Sequence, residues 1–260
     1  MLRFAANLTY LFTEYPFLDR FQAAADAGFK GVEFFFPYDH PAEVICQKLN
    51  DAGLELVLFN LPPGDWDVGE RGLAAMPGRQ TEFLNGLKQA LTYAAILDCK
   101  RLHMLAGVLT PGVNIMDMRK AFRANLAKAC ELASDHDVTL LIEPINSRDV
   151  PGYFLTHTGQ AKAEIDHLGA NNLGLQLDFY HRQIMEGDLT RCLQTYLSIT
   201  RHIQISNAPG RTEPSKGEIA YHHLFEMIKQ PNYAGWVGCE YRPSTERTID
   251  SLGWMDGYLP

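Results

Sequence analysis

Eight short apolar runs, each followed by a longer amphipathic segment, divide this chain from end to end. Strands that alternate with helix-length segments run parallel, because the chain needs a crossover to return to the same end of the sheet. The runs fall at Arg3–Asn7, Gly31–Phe35, Leu54–Asn60, Lys100–Met104, Thr139–Glu143, Leu173–Asp178, His202–Ser206 and Gly235–Glu240. Eight parallel strands with helices between them close into a barrel, and 260 residues is near the ~250 that one such unit takes. The expected fold is α/β, one (β/α)8 TIM barrel spanning residues 1–260.

Residue spacing in the intervening segments supports helices. Phe17, Phe21, Ala24 and Gly28 share one helical face, as do Phe83, Leu87, Ala90 and Ala94, and again Phe122, Leu126, Ala129 and Ala133. Glycines at Ala27-Gly28 and Ala52-Gly53 stand where helices should stop. Only residues 61–78 break the rhythm. Rich in Pro, Gly and Asp and carrying Trp66 and Arg71, they are too long for an ordinary βα loop and read as a lid above the third strand.

A composition of 46% hydrophobic and 21% charged residues supplies a large core and excludes disorder. The net charge of -8, with no cluster of Lys and Arg, argues against nucleic acid and for a small molecule as partner. No uncharged apolar run approaches the ~20 residues of a membrane span, and Asn7 and Glu14 interrupt any leader at the N-terminus. Five scattered cysteines without a Cys-x-x-Cys pair read as reduced thiols, so a cytoplasmic location is expected. A homo-oligomer is compatible with this sequence.

In such a barrel, chemistry sits at the carboxyl ends of the strands. The residues there are Asn7, Glu33, Asn60, His103, Glu143, Asp178, Gln204 and Glu240. Alternation along each strand turns Glu143, Asp178, Gln204 and Glu240 inward, while Ile142, Leu177, Ile205 and Cys239 face the helices. Three carboxylates meeting in a confined space repel unless a cation or proton neutralises them. Three carboxylates and one amide oxygen suit one hard divalent ion, Mg2+ or Mn2+, with positions left for substrate oxygens. His181, three residues after Asp178, offers a nitrogen that would admit Zn2+, and reads equally well as a hydrogen-bond donor to substrate. His103 is either a substrate contact or a satisfied structural histidine, and Glu33 is chiefly a support for the barrel mouth.

Several segments carry a resemblance. Leu141-Ile142-Glu143-Pro144-Ile145-Asn146, Asp178-Phe179-Tyr180-His181, His202-Ile203-Gln204-Ile205 and Gly235-Trp236-Val237-Gly238-Cys239-Glu240-Tyr241 resemble the hydroxypyruvate isomerase family, which includes the 2-oxo-tetronate isomerases. So do Arg3-Phe4-Ala5-Ala6-Asn7-Leu8, Phe36-Pro37-Tyr38, Gly64-Asp65-Trp66, Gly69-Glu70-Arg71-Gly72 and Gly217-Glu218-Ile219, so the likeness spans nearly the whole chain. That family belongs to the xylose-isomerase-like barrels, alongside ketose 3-epimerases and endonuclease IV. The resemblance implies a metal held by Glu143, Asp178, Gln204 and Glu240, with Glu143 and Glu240 also forming the proton-transfer pair. Where the related epimerases usually carry a histidine, this chain has Gln204, which favours a hard ion.

The implied chemistry is aldose–ketose isomerisation of a small hydroxy-carbonyl acid through a cis-enediol, hydroxypyruvate becoming tartronate semialdehyde. Arg71 on the lid and Arg211 after the seventh strand are the expected partners of a substrate carboxylate, and Trp66 an aromatic cover that excludes water. Alternatives within the class are a 2-oxo-tetronate isomerase and a ketose 3-epimerase. From other classes come an endonuclease IV-like phosphodiesterase, which needs a multi-metal cluster and a DNA groove, and a non-catalytic sugar-acid binding protein, which needs no paired acids.

Overall fold

One face of each run is apolar and packs against the helices, and the computed structural model, which describes residues 2–230 and 233–256, arranges the strands accordingly. Strands β1 (Arg3–Asn7), β2 (Gly31–Phe34), β3 (Glu55–Asn60), β4 (Arg101–His103), β5 (Thr139–Ile142), β6 (Leu173–Asp178), β7 (Thr200–Ile205) and β8 (Trp236–Cys239) pair in parallel and in chain order, β8 closing on β1. The expected strands are all present, with ends displaced by at most two residues. Strand β5 stops just before Glu143, and the next residue is Pro144, which has no N–H to extend the ladder.

Helices α1 (Arg20–Asp26), α2 (Ala42–Ala52), α3 (Gln80–Leu97), α4 (Ile115–Ser134), α5 (Thr158–Leu168), α6 (Phe179–Met185), α7 (Leu189–Tyr196) and α8 (Tyr221–Lys229) form the outer layer. The faces read from spacing are the buried ones: Phe83, Leu87, Ala90 and Ala94 on α3, and Phe122, Leu126, Ala129 and Ala133 on α4. Helix α2 ends where Gly53 takes φ 63°, a left-handed conformation that closes the last turn. A 3-10 helix, Thr248–Met255, follows β8 where a full α-helix would complete the ring.

The barrel interior has two storeys. Ala5, Val57, Leu58, Leu141 and Trp236 form a small apolar plug. Above it the inward residues are polar and buried, among them Asn7, Glu33, Asn60, His103, Glu143, Gln176, His202, Gln204 and Glu240. The main hydrophobic core lies between strands and helices, where Ile142, Leu177, Ile205 and Cys239 all point. All five cysteines are free. No helix among the described residues is long and apolar enough to cross a membrane.

The expected lid segment lacks helix and strand of its own, and it is stitched down. Gly72 N–H donates to Pro63 O at 2.8 Å, Ala75 N–H to Ala106 O at 2.7 Å, and the buried Asn125 amide to Ala74 O at 2.8 Å. Leu73, Ala74 and Ala75 are buried, whereas Val68 at the tip is 74% exposed.

Candidate active site

The polar storey opens upward into a cavity of about 210 Å3, the share of roughly seven water molecules in the liquid. Glu143 and Glu240 both line it, with His103, His181, Arg71, Arg211 and Trp66. Of the residues singled out from sequence, Asp178 and Gln204 are not on its wall. Asp178 lies behind His181 and Arg211, its Oδ2 3.6 Å from His181 Nε2 and 3.9 Å from Arg211 Nη2. Gln204 lies behind Glu240, donating from Nε2 to Oε2 at 2.5 Å.

Asp178 has two duties, because it ends a strand and starts a helix. Its Oδ1 accepts the Tyr180 N–H at 2.7 Å, capping α6, and its Oδ2 is buried without a hydrogen-bond partner. Glu143 Oε1 is likewise buried and unpartnered. Burying such atoms costs free energy unless something charged or polar meets them. One ligand atom from each of Glu143, Asp178 and His181 lies within 4.8 Å of the others, so this cluster could hold a metal ion.

Asn146 fixes the His181 ring. The Asn146 Oδ1 accepts the N–H groups of Arg148 and Asp149 at 3.0 and 2.8 Å, which leaves its amide N–H to face His181 Nδ1 at 2.6 Å. Nδ1 is therefore an acceptor, and Nε2 carries the proton of the neutral ring. That N–H faces Glu143 Oε1 at 3.8 Å and Asp178 Oδ2 at 3.6 Å, too far for a hydrogen bond to either. In this tautomer His181 presents an N–H, and not a free ring nitrogen, to the gap.

Glu33 sits beneath Glu240 as a hub. Its Oε1 accepts from Asn7 Nδ2 at 2.9 Å and Gln204 Nε2 at 2.8 Å, and its Oε2 from His202 Nε2 at 2.5 Å. Asn7 also donates to Glu240 Oε2 at 3.1 Å. With its N–H groups spent on two carboxylates, the Gln204 amide turns Oε1 to Gln176 Nε2, 2.6 Å away. The supporting role expected of Glu33 corresponds to this hub.

Charge in the site is far from the ordinary. Burial drives the Glu143 carboxyl well above its usual range, and the neighbouring Glu240 and Asp178 push it further. Burial raises Glu240 to about 8 against the opposing charge of Arg211, and Asp178 to about 6. His103 is held down to about 3 by burial and by His202, with its Nε2 3.6 Å from Glu143 Oε2. His181 is depressed by burial, then by Arg211 and His103, which keeps both rings neutral near pH 7.

Arg211 supplies the positive charge among these acids. Its Nη2 bonds Glu240 Oε1, its Nη1 stands 3.5 Å from Asp149 Oδ2, and the Tyr10 and Tyr180 rings lie 5.0 and 5.1 Å from the guanidinium carbon. In the 61–78 loop, Arg71 stacks 3.7 Å above Trp66, whose ring meets Phe36 edge-on at 5.2 Å. Among the polar lining residues, Tyr10, Asp149 and Arg242 escaped the sequence reading. Inward alternation carried two residues past Glu240 would have marked Arg242, but Asp149 is on an irregular loop with no pattern to reveal it.

Residues 21–258 match the profile of the xylose isomerase-like TIM barrel. A 2-oxo-tetronate isomerase of Cupriavidus necator is 46% identical over 259 residues, covering 100% of this chain and 99% of its own. A hydroxypyruvate isomerase of Escherichia coli is 47% identical over 258 residues, covering 99% and 100%. This chain belongs to the xylose isomerase-like TIM barrels. Within them it falls in the family of the hydroxypyruvate and 2-oxo-tetronate isomerases. Among solved xylose isomerase-like barrels, one described as an AP endonuclease, family 2, from Brucella melitensis matches 100% of both chains with a TM-score of 0.97 and 45% identity.

Proposed function

We propose that this protein isomerises small hydroxy-oxo acids, interconverting hydroxypyruvate with tartronate semialdehyde, or acting on the 2-oxo-tetronate pair, by proton transfer between Glu143 and Glu240. The observation that carries this reading is that both glutamates line one small cavity, two buried carboxyls that burial favours in the protonated form. One carboxylate removes the proton from the hydroxyl-bearing carbon, and the other carboxylic acid protonates the adjacent carbon of the enediol. Direction and substrate pose decide which acts first.

The donor set of the proposed divalent ion is Glu143, Asp178, Gln204 and Glu240. Glu143 and Asp178 already present buried oxygens without partners, whereas Glu240 Oε1 is held by Arg211 and Gln204 Oε1 by Gln176. When bound, such an ion polarises the substrate oxygens and stabilises negative charge in the transition state by several kcal/mol. The all-oxygen set favours Mg2+ or Mn2+, and the Nε2–H tautomer of His181 weighs against Zn2+. His181 then donates to a substrate oxygen, His103 lies beside Glu143, and Trp66 and Arg71 close the cavity from the lid. Five free cysteines suit a reducing compartment, and we place the protein in the cytoplasm.

Turnover by the purified protein, followed across hydroxypyruvate, 2-oxo-tetronate and free ketoses, tests the reading. Isomerisation of either acid at least tenfold faster than any sugar supports it; preference for a ketose would move the assignment to a 3-epimerase. The description of the Brucella melitensis relative favours a second reading, a phosphodiesterase acting on DNA. Against it stand the net charge of -8 and a single described cluster of metal-ligating side chains. Nicking of abasic DNA by the protein would establish that second reading.

A further inference from the structure

We propose that the substrate carboxylate is received by Arg242 together with Arg71, while Arg211 serves as the counter-charge of the site's own acids. This rests on the hydroxy-oxo-acid reading. Three guanidinium groups line the cavity, Arg71, Arg211 and Arg242, and they differ in what they already hold.

Arg211 is committed. It bonds Glu240 and reaches Asp149 and Asp178 at 3.5 and 3.9 Å, with 11% of its side chain exposed. A substrate anion placed there would compete with three carboxylates for one charge. Arg71 has no such partner among the described residues. Its Nη1 donates to the carbonyls of Trp66 and Glu70 at 3.0 and 2.6 Å, and its plane lies on the Trp66 ring. Those contacts orient the group without neutralising it.

Arg242 forms no ion pair among the described residues either. Its backbone N–H is tied to Arg211 O at 2.8 Å, and its guanidinium carbon stands 5.8 Å from the Tyr10 ring. Two acids share a neighbouring groove with Arg242: Glu14 spends both oxygens on Thr248, at 2.8 and 3.0 Å, and Glu246 stands within no ion-pair distance of it. Arg242 is thus an exposed cation, bonded to the neutral Tyr10 side chain and without an ion-pair partner among the described residues, two residues beyond Glu240, and guanidinium binds carboxylate through paired N–H groups. Its position couples recognition of the acid to one member of the proton-transfer pair and disfavours uncharged sugars of the same length.

The test compares wild type, Arg242→Gln and Arg242→Lys on hydroxypyruvate and on dihydroxyacetone, its uncharged counterpart, with calorimetric titration of pyruvate as a probe independent of turnover. Arg242→Gln should raise KM for hydroxypyruvate and weaken pyruvate binding by at least about tenfold. Its kcat should stay within about threefold, its KM for dihydroxyacetone should hold, and Arg242→Lys should recover part of the loss. Unchanged KM and pyruvate affinity would overturn the proposal, as would equal KM changes on both substrates, the mark of a merely structural residue. If the wild type turned over neither acid, the reaction reading would fall, and the pyruvate titration would still decide the role of Arg242.

Discussion

Replacing Gly238 by Ala probes the polar storey with one added carbon. A Cβ at Gly238 would stand 2.3 Å from Glu33 Oε2, 2.4 Å from Oε1 and 2.5 Å from Cδ, inside any tolerable contact. Glu33 is fully buried and bonded to Asn7, Gln204 and His202, so its carboxylate cannot move without stranding buried donors. Overpacking costs ~1–3 kcal/mol, and loss of a hydrogen bond to a charged group ~1.5–3 kcal/mol, which together give about 2.5–6 kcal/mol. For a domain of this size that lowers Tm by roughly 5–24 °C. Because Asn7 and Gln204 also bond Glu240, kcat should fall at least about tenfold. Gly253→Ala, where a new Cβ meets nothing within 4 Å, is the control and should change Tm by little. The reasoning is refuted if thermal melts of Gly238→Ala stay within about 2 °C of wild type and turnover is normal, since about 1 kcal/mol would then cover the whole effect.

Two further outcomes concern charge. Without a divalent ion, Glu240 titrates near 8 and Asp178 near 6 in the folded state, against 4.5 and 3.8 unfolded, and Glu143 is also raised. The folded state then binds more protons, so stability is present at lower pH and is lost as pH rises through the folded values. His103 and His181, depressed below 6.5, oppose this trend only on the acid side. Melts of metal-free protein should therefore show a decline between pH 6.5 and 8.5, worth about 2 kcal/mol for Glu240 alone. Saturating Mn2+ should flatten it; a rise in stability over that interval would contradict the burial argument. Chelation should abolish isomerisation, with Mg2+ or Mn2+ restoring it; full turnover in metal-free protein would remove the ion from the account, and restoration by Zn2+ alone would make His181 a ligand.

Much of this was legible because strand alternation is a local rule. Once the run ending at Glu143 was read, the inward course of Thr139, Leu141 and Glu143 followed, and the same parity put Asp178, Gln204 and Glu240 on the barrel interior. Parity does not say where a carboxylate spends each oxygen. Asp178 caps α6 with one and leaves the other bare, because the chain turns from strand to helix at that residue. Nor does it place loop residues. Arg211, expected to meet substrate, is folded back onto Glu240 from a backbone with φ 55°, a conformation that no sequence motif around it announces. The irregular loop at residues 61–78 was visible from its Pro and Gly content, whereas its fastening to Leu105 and Ala106 depends on a partner loop some thirty residues away.

The central claim is that one of Glu143 and Glu240 removes a proton from one carbon of a hydroxy-oxo acid and the other delivers a solvent-exchanged proton to the adjacent carbon. Running the reaction in D2O and locating deuterium in the product by NMR tests it most directly. The account predicts solvent-derived deuterium on the carbon beside the carboxylate of tartronate semialdehyde, and its loss with turnover in both Glu143→Gln and Glu240→Gln while their folds persist. Product carrying only the original hydrogen, or either variant turning over at the wild-type rate, would contradict it.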